Sequence, residues 1–334
     1  MTRHTIAIHH VEQVLQGARR RGVAIAPLLR RAGISPALLE APLARVSQEQ
    51  YAQLLRIVQR ALRDEFWGLC SQPLPLGSFA QCCRLLIHTP SLADALRVGF
   101  RYFHGALPDF TARLGVADGL ASVRLVTALP PAPALLYAER TFLFFTFGLA
   151  SWLAARRIPL SSVDYRGPPP PHAAETARAF QARLRHGQPH FGLTFEARWL
   201  QLPMVQNAQS LREFLQQAPA NLLVKYRDKA SVTERIRRLL RSHLRGEMPS
   251  LDEVGSVLGL TPPTLRRRLR EEGQGFQSLK DHLRRDAAIE YLARPDMTLL
   301  DIADQLGFSE ASTFHRAFKK WTGVAPGEYR QRPR

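Results

Sequence analysis

Between residues 250 and 323 one short pattern is written twice, and few folds accommodate it. Val254-Gly255 leads to Leu258-Gly259-Leu260-Thr261, and Ile302-Ala303 leads to Leu306-Gly307-Phe308-Ser309, with Gly259 and Gly307 48 residues apart. In each copy a small residue, Gly255 or Ala303, lets two segments cross closely. A glycine then stands where a helix end needs left-handed backbone. A hydroxyl residue, Thr261 or Ser309, follows in position to cap the next helix. Helix, glycine turn and capped helix together predict a helix-turn-helix.

Three helix starts in this region carry a hydroxyl three residues before a carboxylate: Ser231 with Glu234, Ser250 with Glu253, and Thr298 with Asp301. Such capping boxes satisfy donors orphaned at a helix start and mark a domain of short helices. The second helix of each unit is expected at about 262–272 and 310–320. Leu265 and Leu269, like Phe314 and Phe318, lie four apart and anchor one face to a core. Pro263, Thr264, Arg266, Arg267 and Arg270 then fall on the exposed side of the first helix, and Ser312, Thr313, His315, Arg316 and Lys319 on that of the second. Arginine forks in such positions read guanine edges or clamp phosphate. Arg268 is expected to pack, or to pair with Glu271 or Glu272. A helix over about Phe276–Ala293 connects the units and spans about 27 Å at 1.5 Å per residue, against about 34 Å between adjacent major-groove entries.

The stretch LDEVGSVLGLTPPTLRRRLREEG followed by LLDIADQLGFSEASTFHRAFKKWTGVAPGEYR resembles the DNA-binding domain of the AraC/XylS family of transcription regulators. Upstream, DEFWGL (64–69), GSF (77–79) and SLADALRVGFRYF (91–103) are similar to the family branch with an arabinose-binding-type N-terminal domain. The resemblance implies a seven-helix DNA-binding module whose recognition helices enter successive major grooves, and a sensory N-terminal domain that can also dimerise. Carried over by position, base readout falls on Pro263, Arg266 and Arg267 in the first helix and on Ala311, Ser312 and Arg316 in the second. Pro263 and Ala311 depart from the larger or polar residues of the family pattern, which limits them to contact with thymine methyls.

A chain of 334 residues exceeds the size at which one core usually stops growing, so two domains are expected. The assignment is residues 1–220 for effector binding and dimerisation, 221–230 for a linker and 231–334 for DNA binding. Helical periodicity before residue 110 predicts helices at Ile6–Arg21, Ile25–Ala32, Gln48–Leu62, Phe79–His88 and Leu92–Phe103. Strand-like runs follow at Asp109–Leu114, Ala121–Ala128, Leu160–Tyr165 and His190–Glu196, interrupted by helices at Leu135–Ala155 and Ala173–Leu184. The expected fold is therefore an α+β N-terminal domain, helices with a small sheet, joined to an all-α C-terminal domain with two helix-turn-helix units and a linker helix. The net charge of +18 favours a nucleic-acid partner, although most of the excess falls before residue 226. The uncharged run Thr141–Ala155 is shorter than the roughly 20 residues that span a bilayer, so it is read as a buried helix.

No nucleotide-binding or nucleophile-elbow pattern occurs, and no catalytic site or cofactor is expected. Cys70, Cys82 and Cys83 form no CxxC and are read as buried apolar residues in a reduced cytoplasm. His88, His104 and the His9-His10 pair carry no metal-ligand spacing. Trp67, Phe79, Phe100, Phe103, Phe145 and Trp152 are candidates to line an effector pocket. The expected partners are double-stranded operator DNA, a small-molecule effector, RNA polymerase and a second copy of the chain, with no membrane. Two competing readings are a DNA-binding module fused to an enzyme or methyl acceptor, which needs a reactive cysteine, and nonspecific DNA packaging driven by charge.

Overall fold

The computed structural model describes residues 5–169, 180–218, 232–272 and 274–330. The chain divides into two compact units that do not follow chain order. One holds residues 1–12, 26–54 and 227–334, and the other residues 13–25 and 55–226. Helices α1 (Ile8–Arg20) and α3 (Gln48–Leu62) each begin in the first unit and end in the second.

The unit built mainly from residues 55–226 is a five-stranded sheet with helices. Its strands are β3 (Thr111–Ala117), β4 (Leu120–Val126), β5 (Leu160–Asp164), β6 (Arg183–Arg185) and β7 (Phe191–Glu196), in the order β3-β4-β7-β5-β6. All neighbours are antiparallel except β5 and β6. The β3–β4 hairpin closes through Asp118-Gly119, both with positive φ (50° and 73°), the two-residue turn whose twist matches that of paired strands. Alternation along β4 buries Ala121, Val123 and Leu125. The helices are α4 (Ser78–Leu86), α5 (Leu92–Ala106), α6 (Pro133–Leu153) and α7 (Ala208–Gln217). The apolar run read as a buried helix lies in α6, which buries Phe142, Leu143, Phe147 and Trp152. Among the described residues no helix is long and apolar enough to cross a membrane.

The other unit contains, among the described residues, seven C-terminal helices: α8 (Val232–Ser242), α9 (Leu251–Leu258), α10 (Pro262–Glu271), α11 (Phe276–Leu292), α12 (Leu299–Gln305), α13 (Ala311–Thr322) and α14 (Pro326–Arg330). Val232, Ile236, Leu240, Val254, Leu265, Leu269, Leu279 and Leu283 form one core around the first three helices and α11. Helix α2 (Ile25–Arg31) and a strand pair, β1 (Thr5–Ala7) with β2 (Arg45–Ser47), come from the start of the chain. Thr5 Oγ1 donates to Asp286 Oδ1 on α11 at 2.6 Å, and Arg45 Nε donates to Thr5 Oγ1 at 2.7 Å. The buried Tyr329 hydroxyl of α14 donates to the Arg45 carbonyl.

Some expectations need correction. Ile6 and Ala7, expected as the first residues of a helix, belong instead to β1, where they pair with Val46 and Arg45 of β2. Residues 173–179 of the helix expected at Ala173–Leu184 lie outside the described residues, and Arg183 and Leu184 belong to β6, where Leu184 pairs with Val163. Pairing partners far along the chain decided both cases, and local periodicity carries no trace of them. Ser231 and the linker at 221–230 also lie outside the described residues.

Candidate nucleic-acid interface and ligand cavity

Both glycine turns are Schellman motifs. The Leu260 N–H donates to the Gly255 carbonyl at 3.0 Å and Gly259 to Ser256 at 3.4 Å. In the second copy Phe308 donates to Ala303 at 3.0 Å and Gly307 to Asp304 at 2.9 Å. Gly259 (φ 66°) and Gly307 (φ 70°) supply the left-handed residue. Gly255 is needed for a different neighbour from the crossing helix: a Cβ there would meet the Leu260 carbonyl oxygen at 2.6 Å. The capping boxes at Ser250–Glu253 and Thr298–Asp301 are complete, and the bonds they make hold the Glu253 and Asp301 carboxyls below their usual range.

Thr261 caps α10, its Oγ1 accepting from the Thr264 N–H at 3.4 Å. The expected counterpart Ser309 does not cap α13. That helix starts one residue later, with Glu310 at the N-cap and no side-chain cap bond. Leu265 and Leu269 are buried beneath α10, and Phe314 and Phe318 beneath α13. On the opposite faces Pro263, Arg266, Arg267, Arg270, Ser312, His315, Arg316 and Lys319 are exposed, while Thr264, Ala311 and Thr313 are half-buried. Among the described residues Arg266, Arg270, His315 and Lys319 have no hydrogen-bond or ion-pair partner, so their donors face solvent. Arg267 Nη1 is held by Glu271 at 2.9 Å across one helical turn. That pair was expected of Arg268, which is exposed instead. Arg316 Nη2 reaches Thr313 Oγ1 at 3.5 Å, and the Ser312 hydroxyl donates to Glu310 at 2.9 Å. Helix α11, 17 residues long, spans about 26 Å between the two helix-turn-helix motifs.

The second site is a cavity of about 330 Å³ among residues 56–218. Its wall depends on the DEFWGL segment. Asp64 is fully buried and accepts from the Phe66, Gly68 and Leu74 N–H groups at 2.8–2.9 Å, with Arg21 at 3.0 Å. Glu65 accepts from Gly77 at 2.6 Å and Phe79 at 2.7 Å, which fixes the start of α4, while burial raises its carboxyl pKa. Trp67 sits at φ 56° with its Nε1 donating to the Leu55 carbonyl at 3.0 Å. Gly17 admits no side chain, because a Cβ would lie 1.8 Å from the Trp67 carbonyl oxygen.

Of the six aromatic candidates, Trp67, Phe79, Phe100, Phe103 and Phe145 line this cavity. Trp152 does not. It stacks on Phe214 with centroids 4.1 Å apart, in a core with Cys82 and Cys83. The sequence reading missed the polar lining: Arg56, Gln59 and Arg60 of α3, with Glu65 and Thr146. Their spacing of three and four places the α3 residues on one helix face, a signal hidden by the ordinary amphipathic reading of that helix. The three cysteines are buried, and desolvation raises all three thiols, Cys82 to about 12, which disfavours the thiolate that nucleophilic attack requires. His186 and His190, four apart, lie beside the β6–β7 strands and not on one helix face. Among the described residues no group of three or more His, Cys, Asp and Glu side chains is placed to hold a metal.

Two Schellman-turned helix pairs, each presenting an exposed basic face, define a double helix-turn-helix DNA-binding protein. Residues 22–204 match the family model for the arabinose-binding domain of AraC transcription regulators, N-terminal, and residues 254–332 match a helix-turn-helix domain. The chain therefore belongs to the AraC family of transcription regulators, in the branch with an arabinose-binding-type N-terminal domain. It is 27% identical to the ornithine utilization regulator of Pseudomonas aeruginosa over 333 residues, 99% of this chain and 98% of that one. Its similarity to the regulator VirS of Mycobacterium tuberculosis, 38% over 101 residues, covers 30% of each chain. The crystal structure of the regulator CdpR from Pseudomonas aeruginosa aligns with a TM-score of 0.35 at 18% identity, covering 96% of this chain and 98% of that one.

Proposed function

We propose that this regulator reads operator DNA with α10 and α13 and answers to a small molecule held in the aromatic cavity. The observation that carries the first part is the pairing, on each helix, of a buried anchor pair with an exposed face of cations, of which Arg266, Arg270 and Lys319 have no partner among the described residues. Arg266 and Arg316 are assigned to base edges, where a bidentate contact contributes about 1–3 kcal/mol of discrimination. Arg267, tied to Glu271, Arg270 and Lys319 are assigned to phosphates. Pro263, Thr264, Ser312, Thr313 and His315 complete the DNA-facing set. The second part rests on a partly open, largely apolar cavity with a few polar groups in its lining, the usual make-up of a small-molecule site. The functional division runs as residues 1–220 for sensing, 221–230 for the linker and 231–334 for DNA binding. The protein acts in the cytoplasm as a homodimer that contacts RNA polymerase at its promoters.

The test is selection of genomic fragments by the full-length protein at about physiological salt, followed by binding measurements on the recovered site. A two-part motif with half-sites about one helical turn apart supports the assignment. Arg266→Ala is expected to cost about 1–3 kcal/mol on the selected site and to relax base choice at one position, whereas Arg270→Ala weakens all sequences alike. Recovery of no motif, with affinity following only salt and length, would replace specific reading by nonspecific packaging. A fused enzymatic or methyl-acceptor activity finds no support in the cysteines, all three buried and held as thiols.

A further inference from the structure

The cavity has a distinct distribution of chemistry. Its body is aromatic and aliphatic, with Trp67 and Phe145 meeting edge to face at 6.1 Å and Phe103 and Phe142 at 5.5 Å. Its charge comes from α3, where Arg56 and Arg60 stand one turn apart on the lining face with Gln59 beside them. Among the described residues neither arginine has a hydrogen-bond or ion-pair partner. Among the described residues Glu65 is the sole acidic group in the lining, and both its oxygens already accept backbone N–H groups, from Gly77 and Phe79. Arg56 is half-buried and Arg60 exposed, so the positive charge is graded from the wall outward. A guanidinium partly withdrawn from water and given no anion by the described residues is a site for an anion from elsewhere.

We infer that the effector is an apolar molecule with one anionic end, an aliphatic or aromatic carboxylic acid, whose carboxylate meets Arg56 and Arg60 while its body fills the aromatic cavity. This inference rests on the proposal that the cavity holds the effector. The apolar body follows from the lining, since burial of each methylene there is favourable and a polar body would leave its own groups unpaired. The anionic end follows from two guanidinium groups without a partner and no unengaged acid in the lining among the described residues. The same arrangement disfavours a diamino acid such as ornithine, whose ammonium groups would face Arg56 and Arg60 with no carboxylate to receive them.

The experiment is calorimetric titration of the full-length protein with decanoate and 4-phenylbutyrate, set against decanol, decylamine and ornithine. The two acids separate an aliphatic from an aromatic source. The expected result is that one or both acids bind at least tenfold more tightly than the alcohol, and that the amine and ornithine bind more weakly still. Arg56→Gln is expected to raise the carboxylate Kd about tenfold and the exposed Arg60→Gln about threefold, in keeping with a charge-assisted bond that solvent screens at the outer position. Binding of decanol should stay unchanged in both variants, which separates loss of the charge contact from loss of fold, and Arg56→Lys should restore most of the affinity. Decanol equal to decanoate, or ornithine as the tightest ligand, would overturn the ligand class while leaving an effector cavity in place. Failure of all five compounds to bind would overturn both the class and the cavity as the effector site.

Discussion

Gly259 and Gly307 occupy the same place in the two copies of the repeat, with nearly equal φ, yet alanine should not cost the same at both. At Gly259 nothing lies within 4 Å of an added Cβ. Gly259→Ala therefore bears only the left-handed backbone penalty, about 1–2 kcal/mol. At Gly307 the added Cβ would fall 2.4 Å from the Gly246 carbonyl oxygen and 3.1 Å from that residue's carbon and nitrogen. The obstacle is backbone, so the 245–248 segment or the turn itself has to move by about an ångström. Forced overpacking of this kind adds about 1–3 kcal/mol, for about 2–5 kcal/mol in all. The assay is amide hydrogen exchange of the full-length protein, comparing peptides from α12 and α13 with those from α9 and α10. A difference of 1 kcal/mol or more corresponds to at least about fivefold faster exchange around Gly307 in its variant than around Gly259 in the other. Equal loss at the two positions would refute the reasoning, because backbone angle alone would then set the cost and the Gly246 approach would be free to relax.

Asp64→Asn places an amide among three backbone donors and Arg21, and should lower the stability of the unit that carries the cavity by about 3 kcal/mol, measured as a shift in thermal unfolding. A loss below about 1 kcal/mol would mean that the loop is held by its apolar residues alone. The Asp301 carboxyl, whose folded pKa lies below the ordinary 3.8 because Thr298 donates to it, favours the folded state above that value and loses this contribution as pH falls through its folded pKa. Carbon-detected titration should find the Asp301 pKa rising toward 3.8 in Thr298→Ala, and an unchanged value would remove the cap as its cause.

The DNA-binding half was legible because its signals are local. A capping box, a left-handed glycine and two anchors four residues apart act within a single turn, so short range fixes their positions to within a residue or two. Ser309 shows the limit. Its hydroxyl is the right type at the repeated spacing, yet α13 begins at Ala311 and Glu310 takes the cap position. Ion pairing shows another. Arg267 and Arg268 stand four and three residues before Glu271, spacings that both allow a pair within one helix, and side-chain conformation decided that Arg267 takes it. In the cavity, aromatic residues could be named from composition, but not sorted. Trp152 turned from the cavity toward Phe214, and the arginines of α3 entered its lining.

The sequence alone determined the double helix-turn-helix, its capped helices and the basic faces of α10 and α13, because those follow from backbone sterics and helical period. Tertiary structure decided where distant segments meet. It paired Thr5–Ala7 with Arg45–Ser47 and bonded Thr5 to Asp286 of α11. It also gathered residues from α3, the Asp64 loop, α4, α5 and α6 around one cavity. Those arrangements depend on burial and hydrogen bonding between residues tens to hundreds of positions apart, and no window of the sequence records which of many chemically similar partners each residue will find.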